Sequence, residues 1–214
     1  MGPIRGPMEP MRTVAIVLAA GEGRRMGGPK ALLRIGEEVC LARACRLLAR
    51  PGIASVVAVI GAEADRVRAE AGLPAEVTAV VNERWPEGML TSVWAGLDVA
   101  EGLGAEAVLL HPVDNPFVEP ATIDAVLAAL AGGAEIAVPS HDGRRGHPAG
   151  FARAVFSALR AAPTDQGARA VLSEHPAQVV QVPAGEDCLV DLDSPRDLDD
   201  VDRRRILPVG GRKP

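Results

Sequence analysis

An apolar run, Val14-Ala15-Ile16-Val17-Leu18, opens into a loop with glycines at 21, 23, 27 and 28 and cations at Arg24, Arg25 and Lys30. The run is too short to cross a membrane and right for a buried strand. Glycine lets backbone approach a ligand and offer N–H groups without a side chain in the way. Those groups, with guanidinium and ammonium beside them, form a cradle for phosphate. A solvated surface turn is the plainer reading, but a position directly after the first buried strand favours phosphate. Two familiar phosphate loops are excluded by counting. The dinucleotide fingerprint needs glycine where Met26 stands, and the P-loop needs Ser or Thr after its lysine, where Ala31 stands.

Behind this strand the pattern alternates. Helical periodicity is expected over 38–49, 62–71, 89–101, 120–131, 152–161, 165–174 and 195–204. Short apolar runs predict strands over 55–60, 77–81, 107–110, 135–138, 178–182 and 188–192, with a polar loop over 140–150. Strands alternating with helices imply βαβ units with right-handed crossovers. The expected fold is therefore α/β: a single Rossmann-like three-layer domain over 12–204 with a mostly parallel central sheet. Residues 1–11 and 205–214 are expected to be flexible tails. In such sheets ligands bind at the carboxyl ends of the strands. The Gly21 loop, the Asn82 loop and Asp114 all leave such ends.

Aromatic residues make up 2% of the chain and the formal net charge is −5. Both argue against a general nucleic-acid binder, which needs stacking platforms and a basic field. Cys40, Cys45 and Cys188 form no C-x-x-C pair, so neither a disulfide framework nor a zinc site is expected. No stretch is long enough for a membrane span. A cytoplasmic protein with no membrane partner is the expectation.

Asp114 follows a buried strand and stands between prolines, which presents its carboxylate rigidly at the ligand rim. It is read either as a turn residue capping its own backbone or as a ligand for Mg²⁺, a hard ion held by one or two carboxylates and substrate phosphates. The strand-end position favours the metal. Asp193, before Ser194-Pro195, could simply cap the closing helix. Trp94 shares an apolar helix face with Leu90, Val93 and Leu97 and is read as core.

The stretch Leu18-Ala19-Ala20-Gly21, Gly23, Arg25-Met26-Gly27, Pro29-Lys30 resembles L-A-A-G-x-G/S-x-R-M-G-x-P-K of the MobA/MocA-like nucleotidyltransferases. These join a nucleotide to a molybdenum-cofactor precursor or a related phosphorylated molecule. Further motifs recur in family order. Pro112, Asp114, Pro116 and Val118 resemble P-x-D-x-P-x-V, with Asn115 where such families usually carry glutamine. Asp191 to Pro195 look like D-x-D-T/S-P, whose aspartate before Thr/Ser-Pro is a second metal ligand. That residue is Asp193, with Asp191 as the fallback and Asp197 serving the helix N-terminus. Arg145-Gly146-His147-Pro148 matches R-G-H-P and places Arg145, Gly146 and His147 on the acceptor side. Gly88-Met89 and Ser92 resemble G-M-x-x-S, which lies against the nucleotide. Asp165, Gly167, Ala168 and Arg169 resemble G-D-x-G-A-R and are given no role beyond shaping the acceptor side.

The resemblance implies Mg²⁺-dependent transfer of a nucleotide from an NTP to a phosphorylated acceptor, with release of pyrophosphate. Leu18, Ala19, Ala20, Gly21, Gly23, Arg25, Lys30 and Ser92 would bind the nucleotide. Arg25, Lys30 and Asp114 would be catalytic, and Asp114 and Asp193 would hold the metal. Ala20 and Pro29 look like the cytidylyl branch, so CTP and molybdopterin are the expected substrates, and a molybdoenzyme or its chaperone is the protein partner that follows. GTP or another acceptor is the alternative within the class. A non-catalytic nucleotide-binding accessory protein and an NAD-dependent oxidoreductase are the alternatives outside it. The oxidoreductase lacks its fingerprint glycine at Met26 and its acidic residue at Gly61.

Overall fold

The computed structural model of the protein describes residues 11–164, 166–193 and 197. Strand β1 (Thr13–Ala19) leads into the glycine loop, which holds two short 3₁₀ turns, Arg24–Met26 and Lys30–Leu32. A small hairpin, β2 (Arg34–Ile35) and β3 (Glu38–Val39), precedes α1 (Cys40–Leu48). There follow β4 (Ile53–Ile60), α2 (Ala64–Glu70), β5 (Thr78–Val81), α3 (Met89–Gly102), β6 (Ala107–Pro112) and α4 (Pro120–Ala131). The second half comprises β7 (Ile136–His141), β8 (Arg144–Arg145), β9 (Ala149–Ala152), α5 (Phe156–Ala161), α6 (Arg169–Glu174) and β10 (Val179–Pro183).

The main sheet has the order β10-β7-β9-β6-β1-β4-β5, with β8 paired to β7 outside that path. β1 is central, parallel to β4 on one side and β6 on the other, with Val17 opposite Ala58 and His111. Side chains alternate across each strand, and each face is covered by helices. Ala15, Val17 and Ala19 face the layer of α1, α2 and α4, against Leu41, Leu48, Val67, Ile123, Val126 and Leu130. Val14 and Ile16 face α3, α5 and α6, against Leu90, Val93, Leu97, Phe156, Leu159 and Val171. The mixed α/β, mostly parallel architecture expected from the alternation is the one observed. Among the described residues no helix is long and apolar enough to cross a membrane.

Several local expectations are corrected. Helix α1 begins at Cys40, because Ile35 and Glu38 pair across a two-residue turn with Gly36 at φ +63°. Residues 188–192 are not a strand. Glu186–Leu189 is a 3₁₀ turn, and the Cys188 and Val190 carbonyls bond to loops instead of a neighbouring strand. The polar loop over 140–150 hides β8 and the start of β9. Strand β9 runs antiparallel and inserts between β6 and β7, with Ala149 opposite Leu110. Gly150 makes that insertion possible, since a Cβ there would stand 2.8 Å from Leu130 Cδ1 and Val126 Cγ1 of α4. The expected helices over 152–161 and 165–174 begin later, at Phe156 and Arg169. Of the closing helix expected over 195–204 only Asp197 is described; Ser194 and Asp165 lie outside the described residues.

Candidate active site

At the carboxyl end of β1 the chain must turn sharply and leave room above it. Gly23 takes φ +64°, and a Cβ there would collide with the Gly28 carbonyl. Its own carbonyl accepts the N–H groups of Met26 at 2.8 Å and Gly28 at 3.3 Å, which closes the loop on itself. Gly21 faces open space, because no atom lies within 4 Å of where its Cβ would be. The loop returns through Pro29 and directs Lys30 inward, with its side chain only 17% exposed.

Two carboxylates meet that ammonium. Lys30 Nζ donates to Asp114 Oδ2 at 2.7 Å and to Asp193 Oδ1 at 2.6 Å, across 84 and 163 residues of sequence. Burial alone would lower the Lys30 pKa, but these bonds and charges outweigh it and hold the pKa above 10.5. The same hydrogen bond holds the Asp193 carboxyl below the ordinary carboxylate value. Asp191, beside them, is pushed up, first by burial and then by the Asp114 charge. Arg25 reaches Asp193 at 3.4 Å from the solvent side. Arg24 turns away to pair with Glu22.

Asp114 is carried by the end of β6, and its carbonyl accepts the Leu192 N–H at 2.8 Å. Asp193 arrives by a different route. The segment before it is strapped to the rim by Asn115, fully buried, whose Nδ2 donates to the carbonyls of Val190 at 3.0 Å and Cys188 at 3.3 Å. The Asp193 N–H then donates to Asp197 Oδ2 at 2.8 Å. Asn115 is thus a positioning residue for the acidic pair, and nothing in its spacing announces it.

Two recesses share Leu18, Met89, Pro112 and Asp114. The smaller, about 220 Å³, is lined by Ala20, Gly21, Gly23, Lys30, Trp85 and Ser92. The expected nucleotide residues other than Ala19 and Arg25 line it. Ala19 packs inward with its neighbours in the core. Trp85 was not anticipated, although a large aromatic in a loop leaving a strand end is a readable signal. Trp94, expected in the core, is half-buried against it, donating through Nε1 to the Leu159 carbonyl at 3.0 Å.

The larger recess, about 520 Å³, adds His147, Gln166, Arg169, Asp191 and Asp193. His147 reaches it because β9 is antiparallel, which returns residue 147 to the carboxyl rim of β6. Its N–H donates to the Cys188 carbonyl, and its Nδ1 has no partner among the described residues. Burial pulls its pKa down to about 4; the Asp114 charge opposes that and Arg169 adds to it. Of the other two expected acceptor residues, Arg145 is exposed on β8 and Gly146 is packed on Cys188, and neither lines the recess. Arg169 does, together with Gly167 and Ala168, the residues expected only to shape that side.

Among the described residues no trio of histidine, cysteine and carboxylate forms a ready-made metal cage. The donor set nonetheless suits a hard divalent ion of the kind completed by substrate phosphates. Asp114 and Asp193 already converge on one cationic point, and Asp191 adds acidity beside it.

Comparison with known proteins finds relatives over most of the chain. The model of the MobA-like NTP transferase domain matches residues 15–179. A molybdenum cofactor guanylyltransferase from Cereibacter sphaeroides is 40% identical over 141 residues, 65% of this chain and 67% of that protein. A nicotine blue oxidoreductase from Paenarthrobacter nicotinovorans is 36% identical over 172 residues, 75% of this chain and 81% of that protein. A bifunctional enzyme IspD/IspF from Rhizorhabdus wittichii is 42% identical over 133 residues, 59% of this chain, which spans only 32% of that longer protein. Rv0371C of Mycobacterium tuberculosis H37Rv, solved as a complex with manganese, superposes with a TM-score of 0.70 at 25% identity, covering 94% of this chain and 100% of that one. With the matching model spanning most of the chain, from the first strand through the glycine loop and Asp114 to the start of the last strand, this protein belongs to the MobA-like NTP transferase family.

Proposed function

We propose that the protein transfers a nucleoside monophosphate, CMP in preference, from an NTP to a phosphorylated acceptor such as molybdopterin, with a divalent ion, Mg²⁺ first, at Asp114 and Asp193. The observation that carries this reading is the meeting of Asp114, Asp193 and Lys30 at the junction of two recesses. Nucleotide belongs in the smaller, with its base beside Trp85 and Ser92 and its triphosphate on the Gly21–Gly23 backbone. The acceptor belongs in the larger, where His147 and Arg169 can meet a phosphate. An acceptor phosphate oxygen attacks the α-phosphorus in line; the bond to the bridging oxygen breaks and pyrophosphate leaves. The attacking group is already an anion, so no general base is required, and the chain's task is positioning and charge neutralisation. Lys30 moves from the carboxylates to the triphosphate, and Arg25 closes over it from the rim. The metal supplies neutralisation of charge on the transferring group when bound.

The preference for CTP rests on Ala20 and Pro29, and the guanylyltransferase relative makes GTP the rival. Pyrophosphate release from the four NTPs, with Mg²⁺ or Mn²⁺ and candidate acceptors, tests both; release with GTP alone would reassign the base. The nicotine blue oxidoreductase relative favours the second reading, an oxidoreductase in the same frame. Binding of NAD(P)H without a divalent ion would support that reading, and NTP turnover would dismiss it.

A further inference from the structure

The carboxyl end of β5 carries an asparagine that touches neither acidic residue yet controls one wall of the nucleotide recess. Asn82 is buried, 5% exposed. Its Oδ1 accepts the Arg84 backbone N–H at 3.0 Å. A backbone N–H can only donate, so this bond decides which way the amide faces. The NH₂ group must then point at α3, where it donates to Thr91 Oγ1 at 2.8 Å and Ser92 Oγ at 3.0 Å. The Thr91 proton is held between the carbonyls of Gly88 at 2.9 Å and Arg84 at 3.0 Å. Ser92 differs. Its oxygen already accepts from Asn82, and among the described residues nothing takes its proton. Ser92 is 4% exposed, and it lines the small recess with Ala20, Gly21 and Trp85.

We propose that Asn82 is a positioning residue for nucleotide binding: by donating to Ser92 Oγ it turns the hydroxyl proton away from itself and leaves it to be donated into the recess, where it meets an acceptor on the nucleoside. The inference rests on the nucleotidyltransferase reading and adds how that site reads its ligand. An amide at residue 82 orients Ser92 as a donor; a carboxylate of the same size reverses it. In Asn82→Asp the Arg84 N–H keeps its acceptor, but Thr91 and Ser92 must both turn their protons to the carboxylate.

Titration calorimetry with the best-bound NTP and Mg²⁺ tests this on the whole chain. Asn82→Asp is expected to weaken NTP binding about tenfold, one hydrogen bond to a buried ligand group. KM for the NTP rises while kcat at saturation changes by less than about twofold, as for an interaction shared by ground and transition states. Thermal melting checks that the variant is folded. Ser92→Ala is expected to give the same loss, and the double variant no further loss, since both changes delete one interaction. Wild-type affinity in Asn82→Asp overturns the proposal, as does a double-variant loss equal to the product of the single losses. If the wild-type chain binds no NTP at all, the nucleotidyltransferase reading fails and takes the proposal with it.

Discussion

Lys30 joins the glycine loop to both acidic residues, and its substitution is therefore expected to have two effects. A solvent-facing loop would let Lys30→Ala alter binding alone. The side chain is largely enclosed, and its removal leaves Asp114 and Asp193 facing each other without a counter-ion. Triphosphate binding is expected to weaken by about 1.5–3 kcal/mol, and the folded state to lose stability as well. Calorimetry and urea unfolding separate the two; normal NTP affinity in the folded variant would remove Lys30 from the phosphate site. Asp114→Asn is expected to abolish metal-dependent turnover by orders of magnitude. The composition of the site suggests relief of an acidic cluster and a gain in stability. Because Lys30 already neutralises Asp114 and keeps Asp193 as a partner, the expected change is instead a small loss, about 1 kcal/mol. Asp114→Asn/Asp193→Asn should be little slower than Asp114→Asn alone, and multiplied losses would show that the two carboxylates act separately.

Two buried histidines are expected to make the fold acid-sensitive. Burial, and then His147, pull His111 down to about 3, while the Asn115 backbone opposes them; His147 lies at about 4. Unfolded, both take up protons near 6.5. Between about 6.5 and those lower values the unfolded chain binds more protons, so stability is full above the range and falls with pH inside it. The slope is at most about 1.4 kcal/mol per pH unit for each histidine. Urea unfolding of wild type and His111→Leu between pH 7 and pH 4 checks this. The variant should lose stability less steeply, and an equal slope would exclude His111 as a source.

Among the elements, the segment before Asp193 shows how an acidic residue is delivered without a strand. Its backbone groups are taken by Asn115, by the His147 N–H and by the Asp114 carbonyl. Asn115→Leu is similar in size; it removes the side-chain donor to the Val190 carbonyl and leaves the Cys188 carbonyl with the His147 N–H alone. It should cost about 1–3 kcal/mol in urea unfolding and weaken Mn²⁺ binding in the presence of NTP. Unchanged Mn²⁺ affinity with reduced stability would make the strap structural only. Strand β9 shows the converse case. Four residues, one of them glycine, carry no hydrophobic period long enough to read, yet their antiparallel insertion is what brings His147 to the rim beside Asp114.

For the whole molecule, the ammonium of Lys30 stands where the carboxylates would share a divalent ion. A divalent ion held there as proposed would compete with the lysine until a triphosphate drew the lysine away. Mn²⁺ titration should show weak binding to the free protein and markedly tighter binding with an NTP present. By linkage the NTP should tighten by the same factor when metal is added. Equal Mn²⁺ affinity with and without nucleotide would dismiss the competition.

Periodicity alone identified the alternating elements, the central buried β1 and the loop behind it, because apolar spacing and glycine act over a few residues. Asp114 was legible for the same reason, as a carboxylate held between prolines at a strand end. Only the tertiary structure decided that 188–193 is a strapped loop, that β9 enters the sheet backwards, and that Arg169, not Arg145, faces the larger recess. It also decided that Lys30 binds both acids and that Asn82 governs Ser92. Each of these depends on hydrogen bonds between positions whose separation along the chain carries no periodic signal, so their geometry exists only once the sheet has brought the strand ends to one rim.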